Sequence, residues 1–133
     1  MIAENTTLAR RWMREVWNER REETIDELLL PTSIGHMEGG DVVGPAGFRA
    51  VRAVLLDAVP DLRVVVEDAI AEGDAVALRW QATGTHRGGG FGFPATGRPV
   101  RIRGISWFCF ADGRLVEGWD SWNLGALLEE LRS

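Results

Sequence analysis

Tyrosine is missing from this sequence, although six tryptophans and five phenylalanines are present. A phenol is therefore unavailable as acid, base or oxyanion donor, which excludes several mechanisms that operate in small cavities. Cysteine occurs once, at Cys109, so neither an internal disulfide framework nor a multi-cysteine metal site can be built. No run of about 18 apolar residues occurs, and the start MIAENTTLARRWMREVW holds no continuous apolar h-region. A membrane span and a signal peptide are not expected, which makes the cytoplasm the expected location. Basic excess is lacking too: the net charge is −5 and the arginines are scattered among acids, so there is no electrostatic footprint for nucleic acid.

A chain of 133 residues that is 45% apolar has enough material for one compact core, and residues 1–133 are expected to form a single domain. From Asn5 or Thr6 to about Arg20, Leu8, Trp12 and Val16 recur at four-residue spacing beside Ala9, Met13 and Trp17, an amphipathic helix. Thr24 followed by Glu27 reads as a capping box that opens a second helix through Leu30, with Pro31 as its stop. Thr32 to Glu38 suits a short strand or an entry into a loop. Gly44 and Pro45 then lead into a third helix with a Phe48, Val51, Leu55 and Ala58 stripe that ends at Pro60.

After Asp61 the periodicity changes from 3.6 to 2. Leu62 to Ile70, Ala75 to His86, Val100 to Phe110 and Leu115 to Trp122 read as strands. Tight turns at Glu72, Gly73, Asp74 and at Asp112, Gly113 make the outer two connections antiparallel. Arg87 to Gly97 is too glycine-rich for an element and reads as a mobile flap. Helices followed by an antiparallel sheet make an α+β fold, in which a strongly twisted sheet wraps the helices into a cone with a pocket at its open end.

Alternation assigns the faces. Ile102, Gly104, Ser106, Phe108 and Phe110 share one, while Arg101, Arg103, Ile105, Trp107 and Cys109 share the other. Large apolar groups on both predict that a second copy of the chain covers Ile105 and Trp107, giving a homodimer through the outer sheet face. In the last strand Val116, Gly118, Asp120 and Trp122 oppose Leu115, Glu117, Trp119 and Ser121. With Glu117 in water, Asp120 points inward, and an Asp between strand tryptophans needs a reason.

At these residues the chain resembles the SnoaL-like polyketide cyclases, also labelled ester cyclases, of the superfamily of cone-shaped folds similar to nuclear transport factor 2. The tract Gly84, Thr85, His86, the glycine flap, then Pro94, Ala95, Thr96, Gly97, Arg98, Pro99, followed by Gly104, Ile105 and Phe108, carries the likeness. The carboxyl end does too, with Asp112, Gly113, Arg114, Leu115, Val116, Glu117, Trp119, Asp120 and the helix Leu127 to Leu131. The resemblance implies an NTF2-like cone with three N-terminal helices in a curved antiparallel sheet and a short C-terminal helix. It also implies an intramolecular aldol closure in which one carboxylate moves protons without metal or organic cofactor. Asp120 matches the acid/base position. Asn123 stands where many relatives carry a second carboxylate, and Glu130 replaces a usual glutamine.

An aldol closure needs a base for carbon between carbonyls and an acid for the acceptor oxygen, and one carboxyl can serve both in turn. A tryptophan-lined apolar pocket would raise its pKa toward the working pH. His86, at a strand end beside the flap, is a candidate partner for a substrate carbonyl, with a surface or turn position as the plain alternative. His36 is a second candidate polar pocket residue; pairing with Glu38 and Asp120 around a metal lacks a dense ligand motif, and no metal is expected. Trp80, Phe108, Trp122 and Phe48 are candidate walls for a polycarbonyl or polycyclic small molecule. Arg79 is a further candidate contact, with a cross-strand pair to Glu67, Asp68 or Glu117 as its alternative. A ketosteroid-isomerase-like site cannot be built without tyrosine, and an epoxide-hydrolase-like Arg-x-Asp is broken by Gln81 in Arg79, Trp80, Gln81. A binding module without chemistry remains the rival, and it predicts a filled pocket with Asp120 paired to an arginine.

Overall fold

The computed structural model describes residues 2–133. Helix α1 (Ile2–Trp12) runs directly into a π-helical turn, Met13–Asn18, and the two bury Ala9, Trp12, Met13 and Val16. Backbone bonds in a π turn reach one residue further than in an α-helix, as where Glu19 N–H meets Arg14 O at 3.0 Å. Side chains tie the end of this turn to the sheet. The Asn18 amide donates to Val64 O at 2.8 Å and accepts from Val64 N–H at 2.7 Å, in effect a one-residue strand partner. Arg52, buried on the third helix, donates from Nε to Val16 O at 3.2 Å. Removal of the two Asn18 bonds in Asn18→Ala is expected to cost about 2 kcal/mol, read as a lower denaturant midpoint at unchanged slope.

Helix α2 spans Glu22–Leu28, which corrects both ends of the expected second helix. Arg21 is its N-cap and makes no side-chain cap bond. Thr24 is no cap but lies inside the helix, fully buried, where its hydroxyl donates to Glu15 Oε1 at 2.6 Å. The helix gives way to strand β1 (Leu29–Met37) ahead of Pro31, so Pro31 is not its stop. Proline fits there because the register of β1 slips between Leu29 and Ile34, where no ladder N–H is required. Ser33 bridges the slip, its Oγ accepting from Leu30 N–H at 2.9 Å and donating to Leu115 O at 2.6 Å.

Strand β2 (Gly40–Val43) returns beside β1 and leads into α3 (Gly44–Ala58), after which β3 (Arg63–Glu72), β4 (Ala75–Thr85), β5 (Pro99–Ala111), β6 (Arg114–Trp122) and α4 (Leu124–Arg132) follow. The six strands form one sheet in the order β2-β1-β6-β5-β4-β3. Every pairing is antiparallel except β1 with β6, which is parallel. An α+β cone was expected and is found; the segment from Thr32, open between strand and loop in the sequence, lies in strand β1, and β2 and the parallel β1–β6 pair are additions to the purely antiparallel reading. Inside it, α1 packs on β3 and β4, and α3 packs on β1 and β2.

The β5–β6 hairpin turns on Asp112 and Gly113 with φ of 50° and 76°, the paired positive values of a tight type I′ turn. Phe110 faces Leu115, but Cys109 already faces Glu117, so Val116 is the extra residue of a bulge. Leu115 consequently turns into the core, 5% exposed, and the expectation that it shares the outer face with Glu117 is corrected. Beyond the bulge Trp107 pairs with Trp119 on the outside and Ser106 with Asp120 on the inside.

Residues 87–97 form no helix or strand, as expected of the flap, but both of its ends are tied down. His86 N–H meets Arg98 O at 2.9 Å and Gly97 N–H meets His86 O at 2.8 Å. Arg87 and Gly88 N–H both reach Ala58 O, at 3.0 and 3.2 Å, supplying donors to the carboxyl end of α3. The backbone lies so close to α3 that a Cβ at Gly88 would stand 1.9 Å from Asp57 O.

Candidate active site

The inner face of the sheet and the helices enclose a cavity of about 390 Å³. Trp12, Met13 and Trp17 from the first helical segment form one side of it, and Phe48, Val51 and Leu55 from α3 form another. The sheet contributes Trp80 from β4, Phe108 from β5 and Trp122 from β6. Four of the expected wall residues, Trp80, Phe108, Trp122 and Phe48, therefore line one space. The flap joins them through Gly90 and Phe91.

Asp120 reaches into this space from β6. Its Oδ1 accepts a hydrogen bond from the Ser106 hydroxyl across the β5–β6 ladder, and Ser106 Oγ in turn accepts from Trp80 Nε1–H at 3.0 Å. Burial pushes the Asp120 carboxyl up to about 6; the Ser106 hydrogen bond opposes that rise and the negative charge of Glu38 adds to it. Desolvation wins because it acts on the whole charge, whereas one hydroxyl returns a single hydrogen bond. The carboxyl is thus poised between its two protonation states close to neutral pH. Glu38 stands at the cavity too, its Oε1 accepting from Trp122 N–H at 2.7 Å.

The other expected polar residues lie elsewhere. His36 does not line the cavity: its Nδ1 pairs with Asp41 Oδ1 at 2.8 Å and its Nε2 with Glu117 Oε2 at 2.7 Å, and its ring stacks on outward-facing Trp119 at 4.9 Å. Hydrogen bonds to Glu117 and then Asp41 raise its pKa above the usual imidazole value, and the ring links β2, β1 and β6. His86 is also outside the cavity lining and is fully buried. Thr96 N–H points at its Nδ1 from 3.1 Å, so that nitrogen carries the lone pair and Nε2 carries the proton. Phe91 and Phe93 pack on the ring at 5.8 and 5.2 Å; His86 holds the flap closed on itself and is 0% exposed. Arg79 is outward-facing, 3.8 Å from Glu67, the cross-strand alternative rather than a substrate contact. Among the described residues no three His, Cys, Asp or Glu side chains gather as a metal ligand set.

Ser106 was not singled out as a site residue. The available signal was a lone hydroxyl among Ile102, Phe108 and Phe110 on an apolar face. Asn123 does not line the cavity: its side chain accepts from Arg103 N–H at 2.9 Å and donates to Arg101 O at 3.2 Å, continuing the β6–β5 pairing beyond Trp122.

The sequence matches the SnoaL-like polyketide cyclase family over residues 7–131. Among solved structures, a candidate SnoaL-like polyketide cyclase from Jannaschia sp. CCS1 is 26% identical over 100% of this chain and 94% of its own, with a TM-score of 0.93. AclR, a candidate hydroxylase from Streptomyces galilaeus, is 30% identical over 99% and 98% of the two chains, with a TM-score of 0.86. IdmH, a candidate polyketide cyclase from Streptomyces antibioticus, is 28% identical over 97% and 99%, with a TM-score of 0.83. No curated protein matches the sequence. No helix is long and apolar enough to cross a membrane among the described residues.

Proposed function

Because the chain belongs to the SnoaL-like polyketide cyclase family, we propose that it closes a ring in a polyketide-like polycarbonyl compound by an intramolecular aldol reaction, with Asp120 as both base and acid. The observation that carries this reading is one carboxyl, raised to about 6 by burial, in an open cavity walled by aromatic rings. In its ionised form Asp120 takes a proton from the carbon between two carbonyls. The carbanion equivalent, delocalised as an enolate, attacks a second carbonyl carbon; the new carbon–carbon bond forms as the π pair moves to oxygen. That oxygen takes the proton back from Asp120, so the product is an isomer of the substrate and the enzyme is regenerated. All fifteen basic residues are arginine, which leaves no lysine for the alternative route through a Schiff base.

The binding-module rival expects a filled pocket and an arginine on Asp120; the open cavity and the Ser106 partner favour catalysis. Incubating the protein with a linear chain of 1,3-dicarbonyl units tests it. A cyclic product of unchanged mass, or one water lighter after dehydration, supports the reading. Recovery of unchanged substrate that binds the protein returns the rival, and a product heavier by one oxygen sets cyclisation aside.

The working unit in this proposal is a dimer. Ile105, Trp107 and Trp119 are 53%, 51% and 41% exposed on the outer face, where Ala77, Trp107, Trp119 and His36 form a continuous rung across β4, β5, β6 and β1. A second copy covering this face accounts for so much apolar surface on a sheet. Sedimentation is expected to give twice the 14.7 kDa of one chain, and Trp107→Glu is expected to give the single chain; a wild-type protein that stays monomeric removes the dimer.

A further inference from the structure

Behind Asp120 three side chains from adjacent strands form a line: Trp80 on β4, Ser106 on β5 and Asp120 on β6. Hydrogen-bond roles along it are fixed by chemistry. An indole N–H only donates, so the Trp80 bond at 3.0 Å occupies a lone pair of Ser106 Oγ. The single hydroxyl proton of Ser106 is thereby directed to Asp120 Oδ1. Ser106 and Trp80 are 1% and 8% exposed, so solvent does not compete for either bond. The indole has its place because position 104 is glycine: a Cβ there would stand 2.5 Å from Trp80 Cζ2.

The charges around Asp120 make this hydroxyl decisive. Of the elements that line the cavity, the β1–β2 turn brings Glu38, whose negative charge acts on Asp120, and β2 brings Asp41, whose carboxylate is paired with His36 on the outer face. The helices, the π-helical turn and the remaining strands bring no charge to the lining apart from Asp120 itself, and the flap brings none. Nothing cationic therefore supports the carboxylate among the described lining residues, and its stabilising partner is Ser106.

We propose that Ser106, aimed by the Trp80 indole, is a positioning residue that keeps Asp120 available as a base and leaves its other carboxylate oxygen free for the substrate. The proposal rests on the reading of Asp120 as the acid/base. Its consequence is directional. Loss of the hydroxyl removes the interaction that favours the ionised form, so the carboxyl holds its proton to higher pH and the base form is scarcer at neutrality. Loss of the indole N–H leaves the hydroxyl present but free to rotate, which gives the same direction with a smaller size.

The test follows the Asp120 carboxyl carbon by NMR against pH in protein labelled at that carbon, in the wild type, Ser106→Ala, Ser106→Cys and Trp80→Phe. In Ser106→Ala the midpoint is expected to move upward by about one pH unit, the effect of one hydrogen bond to a charged group. Ser106→Cys, with its weak donor, and Trp80→Phe are expected to move it upward by less. The acidic limb of kcat/KM moves with the carboxyl in each variant, which a merely structural role would not produce. An unchanged midpoint in a folded Ser106→Ala, or in a folded Ser106→Cys if the alanine variant does not fold, overturns the proposal. The carboxyl titration needs no turnover, so it stands or falls separately from the aldol reading, which Asp120→Asn tests.

Discussion

Asp120→Asn is expected to lower turnover by about 100- to 10,000-fold, the range for loss of a general acid/base, while the fold is kept. The amide has nearly the shape of the carboxyl, and its oxygen still accepts the Ser106 hydroxyl; it lacks a group that can exchange a proton. Stability should move the other way. The carboxyl is raised to about 6 by burial, roughly two pH units above an unfolded aspartate, which penalises the ionised folded protein by on the order of 3 kcal/mol. This penalty is complete above the folded midpoint, fades as pH falls through about 6, and is gone below the ordinary aspartate range near 4. Melting temperatures of the two proteins should therefore lie furthest apart at about pH 8, with Asp120→Asn the higher, and converge toward about pH 4. A variant as active as the wild type would remove Asp120 from the chemistry.

The largest stability loss is expected for Gly88→Ala. A methyl group there would meet Asp57 O at 1.9 Å and Asp57 C at 2.9 Å, both backbone atoms of α3, so no side-chain rotation relieves the overlap. The loop must lift, with loss of the Arg87 and Gly88 bonds to Ala58 O and displacement of the neighbouring Phe91 wall of the cavity. Overpacking of this kind costs about 3 kcal/mol, or roughly a 10 °C fall in Tm for a domain of this size. Ligand affinity should fall in parallel. Gly125→Ala is the matched control: it lies in α4 with nothing within 4 Å of the added carbon, and alanine favours the helix. A Gly88→Ala protein that melts with the wild type would show that the loop is not docked on α3.

The sequence was most legible where local chemistry decides structure. Gly73–Asp74 and Asp112–Gly113 mark the β3–β4 and β5–β6 hairpins, Gly44–Pro45 opens α3, and the alternation of Glu117 and Trp119 turns Asp120 inward. It was least legible where one residue changes register. Counting back from the Asp112–Gly113 turn without a bulge pairs Ser106 with Trp119; the extra residue Val116 is what sets Ser106 opposite Asp120. Pro31 similarly reads as a helix stop, yet it sits in a strand whose register slips around it. The π-helical turn leaves no separate mark, because apolar residues four apart, Leu8, Trp12 and Val16, continue through both helix types. Neither histidine could be placed from the sequence. His36 finds two acids on the outer face and His86 a threonine ten residues on, contacts fixed by tertiary structure rather than by neighbours in the chain.

The pH dependence of kcat/KM for ring closure tests the role of Asp120 most directly. The rate should rise tenfold per pH unit below a single midpoint of about 6 and level off above it, and the residual rate of Asp120→Asn should show no such limb. A wild-type rate that is flat through that midpoint, or a limb that persists in Asp120→Asn, would contradict the assignment.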